Sequence, residues 1–164
     1  MTSLKDAILG TDFLGRTVRV GDEVACILRS EPSSSTYYAV LRRALATKNS
    51  NLQVIDTGEI INGYDLSNTI IVTKKGRYKT IEQDAIPLDV DNQLLKEGDI
   101  VVSPDKMLSS LCIGILERLP TAMRSHYTSW FRVNNVYHHR RNIYKITEKN
   151  IGKEQMALIR LSLL

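Results

Sequence analysis

Short stretches of alternating apolar and polar residues, separated by turn residues, dominate the chain. This alternation predicts strands over residues 36–45, 52–55, 69–73 and 78–81, and again over 100–103, 111–119, 129–133, 136–139 and 143–147. A last strand is predicted over 155–163, after a turn at 150–152. Ser3 is positioned to cap a short helix whose apolar side carries Leu4, Ala7 and Ile8. Short strands about ten residues apart predict small antiparallel barrels or sandwiches.

The same pattern occurs twice along the chain. Residues 20–25 (VGDEVA) match 97–102 (EGDIVV), and four further matches follow in the same order: 33–34 with 109–110, 40–45 with 115–119, 52–56 with 131–135, and 68–73 with 142–147. A repeat in which each copy buries little core alone predicts two modules that lean on each other. We therefore predict a short N-terminal helix over 1–11, a first module over 12–83, a linker over 84–91, and a second module over 92–164.

Residues 12–25, DFLGRTVRVGDEVA, carry a resemblance to a known group of proteins. They resemble the opening of small bacteriophage proteins in which D-x-L-G-R-x-[VI]-x-V-G-D-x-V-A leads into an SH3-like barrel. The turn is also similar to the start of the KOW-type barrels of transcription and ribosomal proteins. The resemblance covers residues 12–45 and, more loosely, the second copy. It implies a mainly β protein of two tandem small SH3-like antiparallel barrels with a short N-terminal helix, encoded by a phage; it does not specify an activity.

Composition adds little to this picture. Hydrophobic residues at 43% and charged residues at 24% are ordinary for a globular protein. No apolar run approaches the ~20 residues that cross a membrane, and no secretory signal is readable, so a cytoplasmic location, that of the host cell for a phage protein, is expected. Cys26 and Cys112 are predicted to be free thiols, since a disulfide framework uses more cysteines in a shorter chain.

The charge is concentrated in the second module. The chain carries a net charge of +4, and residues 92–150 hold nine Lys or Arg against five Asp or Glu. Because cations neutralise phosphates and exposed rings stack on unpaired bases, this module predicts a surface for nucleic acid or another acidic partner. The candidate residues are Arg132, Tyr137, His138, His139, Arg140, Arg141, Tyr144 and Lys145. The alternative is that Trp130, Val133, Val136 and Ile143 are core while 138–141 form a solvated turn.

A second basic segment lies near the end of the first module. It contains Lys74, Lys75, Arg77 and Lys79. This segment is either a charged hairpin tip that protects a strand edge or a second phosphate-binding site.

The sequence predicts neither catalysis nor a metal or other cofactor. His138 and His139 are adjacent on a predicted strand and point to opposite faces, so they cannot easily share one ion. No nucleophile elbow, phosphate-binding loop or H-E-x-x-H segment occurs. An enzyme hypothesis would rest on His126 and the two cysteines alone.

These observations predict a non-enzymatic phage protein that modulates host machinery through a basic surface. Its expected partner is nucleic acid, or a nucleic-acid-associated host protein such as RNA polymerase. One alternative is an inhibitor that binds a bacterial defence protein, and another is a small uncharacterised enzyme. No membrane partner is expected, and the oligomeric state stays open.

Overall fold

The structure is a computed structural model that describes residues 7–29, 39–73, 87–105, 110–118 and 130–164. Strands make up most of its regular structure and pair antiparallel in several small sheets, so the prediction of a mainly β protein is confirmed. The chain divides into two compact units. Unit 1 comprises Met1–Gly76 and Leu108–Leu111, and unit 2 comprises Arg77–Met107 and Cys112–Leu164.

The described residues of unit 1 form seven strands in two sheets. These are β1 (Ile8–Thr11), β2 (Thr17–Arg19), β3 (Glu23–Arg29), β4 (Ala39–Thr47), β5 (Asn51–Val54), β6 (Ile60–Ile61) and β7 (Thr69–Ile71). β1 pairs with β2, and the other five strands form one sheet in the order β6-β5-β4-β3-β7. The core of the unit is a cluster of small and branched apolar side chains: Val18, Val24, Cys26, Ala44, Ala46, Leu52 and Leu66.

In the described part of unit 2 there are two three-stranded sheets and two helices. Its strands are β8 (Ile100–Pro104), β9 (Leu111–Ile115), β10 (Glu117–Arg118), β11 (Trp130–Val133), β12 (Val136–His139) and β13 (Tyr144–Lys145), and its helices are α1 (Glu148–Ile151) and α2 (Lys153–Ser162). The sheets have the orders β13-β8-β9 and β10-β11-β12. The core cluster is Leu95, Val101, Leu116, Phe131, Val133 and Ile143.

The Gly-Asp turn at the centre of the sequence repeat has the same geometry in both units. Gly21 and Gly98 both have φ of 92°, a conformation that side chains rarely adopt. The Gly21 amide donates to the Ala46 carbonyl at 2.8 Å, and the Gly98 amide donates to the Leu116 carbonyl at 2.9 Å. The two segments matched in the sequence, 20–25 and 97–102, therefore share this turn conformation and this hydrogen bond, while the duplication itself stays a prediction.

A buried aspartate ties the start of each unit to a strand that follows much later in the chain. Asp12 accepts hydrogen bonds from the amides of Leu14, Arg16 and Ile71, and from Arg16 Nε.

Asp89 repeats this arrangement in unit 2. It accepts from the amides of Asp91, Gln93 and Lys145, and from Gln93 Nε2. Burial raises the pKa of Asp89 to about 6, against the lowering effect of these bonds. Asp89 lies within the predicted linker over 84–91, yet its hydrogen bonds make it part of the structure of unit 2. Residues 84–86 of that linker lie outside the described residues.

Two of the sequence matches between the copies are wrong in register. The common hydrogen bond to the Gly-Asp turn makes Ala46, rather than Leu41, the counterpart of Leu116. Thr47 pairs with Asn51 and Glu117 pairs with Arg132, so the match of 52–56 with 131–135 is displaced by two residues. Short apolar runs resemble one another, and only the pairing of the strands fixes which residues correspond.

The last predicted strand, over 155–163, is wrong, because Lys153–Ser162 form the helix α2. The Thr147 hydroxyl accepts from the Asn150 amide, and Asn150 Oδ1 accepts from the Thr147 amide. This capping box starts the short helix α1 immediately before α2. Met156 and Ile159 are then buried one helical turn apart, a spacing that a strand could not use on one face.

The predicted N-terminal helix is also corrected where the structure describes it. Ile8–Thr11 form the strand β1, whose Gly10 and Thr11 pair with Val18 and Thr17 of β2. The segment 1–6, which contains the predicted cap Ser3, lies outside the described residues. Both cysteines are free: Cys26 is buried in the core of unit 1, whereas Cys112 is only half-buried.

Candidate functional site

The predicted basic segment of unit 2 forms an antiparallel hairpin built from β11 and β12. The strands are joined by Asn134 and Asn135, which have φ of 51° and 65°. Asparagine tolerates this left-handed conformation, which a tight two-residue turn requires at both positions. The turn sets the register of the hairpin, so that Trp130 lies opposite His139 and Arg132 lies opposite Tyr137.

The two faces of this hairpin differ in chemistry. Phe131, Val133 and His138 are buried on the inner face. Because successive strand residues point to opposite faces, the residues between them lie on the outer face of the β10-β11-β12 sheet. We define the outer face by five residues: Glu117, Trp130, Arg132, Tyr137 and His139.

Aromatic rings occupy two neighbouring cross-strand pairs of the outer face: Trp130 with His139, and Tyr137 with Arg132. The Trp130 and His139 rings meet edge to face, with centroids 5.7 Å apart at an interplanar angle of 82°. His139 Nδ1 accepts a hydrogen bond from the Arg141 amide at 3.3 Å, which fixes the orientation of the imidazole. Tyr137 is 47% exposed. Same-face positions along a strand are roughly 7 Å apart, so the face presents aromatic rings at two neighbouring steps.

The outer face has one arginine and one carboxylate. Arg132 Nε donates to Glu117 Oε2 at 2.7 Å, and the side chains are 35% and 49% exposed. Glu117 of β10, Arg132 of β11 and Tyr137 of β12 form one row across the three strands. Arg132 therefore has a carboxylate residue on one neighbouring strand and an exposed tyrosine on the other.

Three predicted contact residues are located in the interior of unit 2. His138, Arg140 and Tyr144 are 4%, 1% and 2% exposed. Arg140 Nη1 donates to the Leu88 carbonyl at 3.0 Å. These side chains present almost no surface to a partner, so the set of contact residues is corrected by removing them.

The remaining two predicted cations are engaged within unit 2. Arg141 Nη1 donates to Asn92 Oδ1 at 2.9 Å. Lys145 Nζ lies 3.3 Å from Asp99 Oδ2 and donates to the Leu94 carbonyl at 3.1 Å. The hydrogen bonds attach the hairpin and the following strand to residues 92–99. Much of the positive charge of this segment thus has a structural role, and a solvated turn is not formed at 138–141.

The sequence analysis did not predict that Arg132 pairs with Glu117, or that the Trp130 ring contacts the His139 ring. The alternation of residues 130–133 would have placed Trp130 beside Arg132 on one face, but Glu117 lies 15 residues away in the chain. The second basic segment, with Lys74, Lys75, Arg77 and Lys79, lies outside the described residues.

Other kinds of site find little support in the described part of the chain. It contains no group of three or more His, Cys, Asp or Glu side chains that could hold a metal ion. It also contains no helix with the length and apolar character needed to cross a membrane. Burial raises the pKa of Cys26 to about 12, which keeps this thiol protonated and poorly nucleophilic.

Comparison with known proteins leaves the chain without an assigned family. No protein-family model, no curated protein and no solved structure matches it. Its function must therefore be inferred from its own residues.

Proposed function

We propose that the protein acts by binding and that unit 2 holds single-stranded nucleic acid on its outer face. The observation that supports this is the arrangement of Trp130, Arg132, Tyr137 and His139 on one side of a hairpin whose other side is buried. Bases stack on aromatic side chains with little dependence on sequence, and a nearby guanidinium can meet the phosphates between them.

Unpaired nucleic acid suits this face better than a duplex. A side chain reaches the flat surface of a base only where the base is unstacked, and the rings here stand on a short, open sheet. We also propose that each unit is a small SH3-like barrel and that the protein is encoded by a bacteriophage and acts on host machinery. The resemblance carried by residues 12–25 supports both statements.

The test is binding to a labelled single strand of about twelve nucleotides, read by the emission of Trp130, the chain's single tryptophan. Stacking should change this emission, and an excess of duplex should compete weakly. Tyr137→Ala should weaken binding by about tenfold, because stacking contributes roughly 1–3 kcal/mol per base, whereas Tyr137→Phe should keep most of the affinity.

A matched control for the loss of exposed apolar surface is Ile115→Ala. Ile115 is 44% exposed in unit 2 and lies on β9, outside the outer face. This variant should bind as the unmodified protein does. Absence of binding to single-stranded DNA and RNA at low salt would refute the proposal, because phosphate contacts are strongest there.

A second candidate function is binding to a host protein through α2. Leu158, Leu161 and Leu164 are 61%, 65% and 100% exposed and lie at or just beyond the helix at helical spacing. Helical stripes of this kind commonly dock into apolar grooves. The partner would be RNA polymerase or a defence protein, and Leu158→Glu with Leu161→Glu should abolish the association measured with the purified partner, while nucleic-acid binding stays unchanged.

A further inference from the structure

The Glu117–Arg132 pair on the outer face contributes little to stability. Ion pairs this exposed contribute about 0–1 kcal/mol, since water and salt screen the attraction and both side chains lose freedom. Among the five residues of the outer face, Arg132 is the only arginine or lysine. The pair therefore matters more for the charge that the face presents than for holding the sheet together.

In unit 1, the strand pairing that corresponds to Glu117 with Arg132 forms without a charged pair. Thr47 and Glu117 correspond, because each directly follows the residue whose carbonyl accepts from the Gly-Asp turn. Their strand partners, Asn51 and Arg132, then correspond as well. There the Thr47 hydroxyl donates to the Asn51 carbonyl at 3.0 Å. The same strand pairing thus forms with uncharged side chains, and the charges of unit 2 belong to its surface.

We propose that Glu117 lowers the affinity of the outer face for nucleic acid by competing with phosphate for Arg132. This inference rests on the proposed function. A guanidinium binds carboxylate and phosphate through the same planar array of N–H donors, so the Glu117 carboxylate occupies a position that a phosphate oxygen would take. A strand whose base stacks on Tyr137, directly opposite Arg132, brings its phosphate to this guanidinium and displaces the carboxylate.

The competition predicts opposite effects for the two members of the pair. Glu117→Gln should raise the affinity for single-stranded nucleic acid roughly three- to fivefold at low salt, because it releases the guanidinium and removes a negative charge. It should also steepen the dependence of log affinity on log salt by up to about 0.7, the slope of one phosphate contact on a single strand, because no displaced Glu117 carboxylate then takes up a cation that offsets the one released from the phosphate. Arg132→Gln should lower the affinity, and adding Glu117→Gln to it should then change the affinity less than twofold.

The chain offers a matched control in the Arg160–Glu148 pair of the two helices. Its atoms are 3.4 Å apart, and its side chains are 57% and 48% exposed. Glu148→Gln removes the same charge from a similar pair away from the outer face, so it should leave the affinity within twofold of the unmodified protein. Thermal melting of each variant checks that the fold is kept.

The experiment is a salt series of binding to a labelled twelve-nucleotide strand by the unmodified protein and these variants, with the length chosen from the usual range of about 4–16 nucleotides. Binding that depends on Tyr137 but is unchanged or weakened by Glu117→Gln would overturn the competition and leave the proposed function standing. Absence of binding by every variant, including Glu117→Gln, would overturn both.

Discussion

The burial of His138 predicts how the stability of unit 2 depends on pH. The ring is 4% exposed and is hydrogen-bonded to Pro104, whose backbone offers only a carbonyl, so the imidazole donates. Nε2 meets no hydrogen-bond partner among the described residues. Burial lowers the pKa of His138 from 6.5 to about 4. The folded state therefore holds this ring neutral under conditions in which the unfolded chain protonates it.

The lowered pKa fixes both the sign and the size of the effect. The stability that His138 contributes is fully present above pH 6.5 and is lost as the pH falls towards 4, because only the unfolded state gains the proton in that interval. A change from 6.5 to about 4 corresponds to a loss of about 2 kcal/mol at pH 5 and about 3 kcal/mol at pH 4. Asp89, whose pKa is raised to about 6, acts in the opposite sense over part of this range.

His138→Asn isolates the histidine, because Asp89 is present in both proteins. The Asn side-chain amide can still donate to the Pro104 carbonyl, while the smaller side chain should cost roughly 2 kcal/mol at pH 7.5. Urea unfolding followed by Trp130 emission gives the free energy of unfolding of both proteins between pH 7.5 and 4.5. The difference between them should shrink by about 2 kcal/mol on going from pH 7.5 to pH 5. A difference that stays constant within about 0.5 kcal/mol would show that the histidine is not held neutral by burial.

Three further predictions test the structure. Asp12→Asn should lower the free energy of unfolding by roughly 3 kcal/mol in urea titrations, because it removes an oxygen that accepts two partly buried hydrogen bonds; a loss below about 1 kcal/mol would contradict the role of this aspartate. Gly114→Ala should cost about 1–3 kcal/mol, since its Cβ would lie 2.7 Å from neighbouring side-chain atoms, and an unchanged urea midpoint would count against this close packing. A thiol reagent at pH 8 should modify half-buried Cys112 in the folded protein well before Cys26, whose pKa burial raises to about 12; equal rates would show that Cys26 is accessible.

Local chemistry made several elements of this protein predictable from the sequence. Gly21 and Gly98 stand where the chain needs a positive φ, and each is followed by an aspartate that completes the turn. Asn134 and Asn135 similarly tolerate the positive φ that the turn of the hairpin requires. The alternation of apolar residues identified most strands, because a strand with one buried face repeats every two residues whatever it packs against.

The C-terminal helix shows where local patterns were insufficient. The apolar residues of 155–163 fit both a two-residue and a 3.6-residue period, so the pattern alone did not separate strand from helix. The capping box of Thr147 and Asn150 and the burial of Met156 and Ile159 decide for a helix. The sequence analysis placed a turn at 150–152, and which face of the following segment is buried depends on what it packs against.

The sequence predicts a duplicated β unit whose second copy carries the larger net positive charge. Which of these cations reach the surface depends on the folding of unit 2. Arg140 is buried, and Arg132 is paired with Glu117 across adjacent strands. Local sequence could not show this, because burial and ion pairing depend on the register between segments distant in the chain, whereas turns and strand alternation depend on neighbours within a few residues.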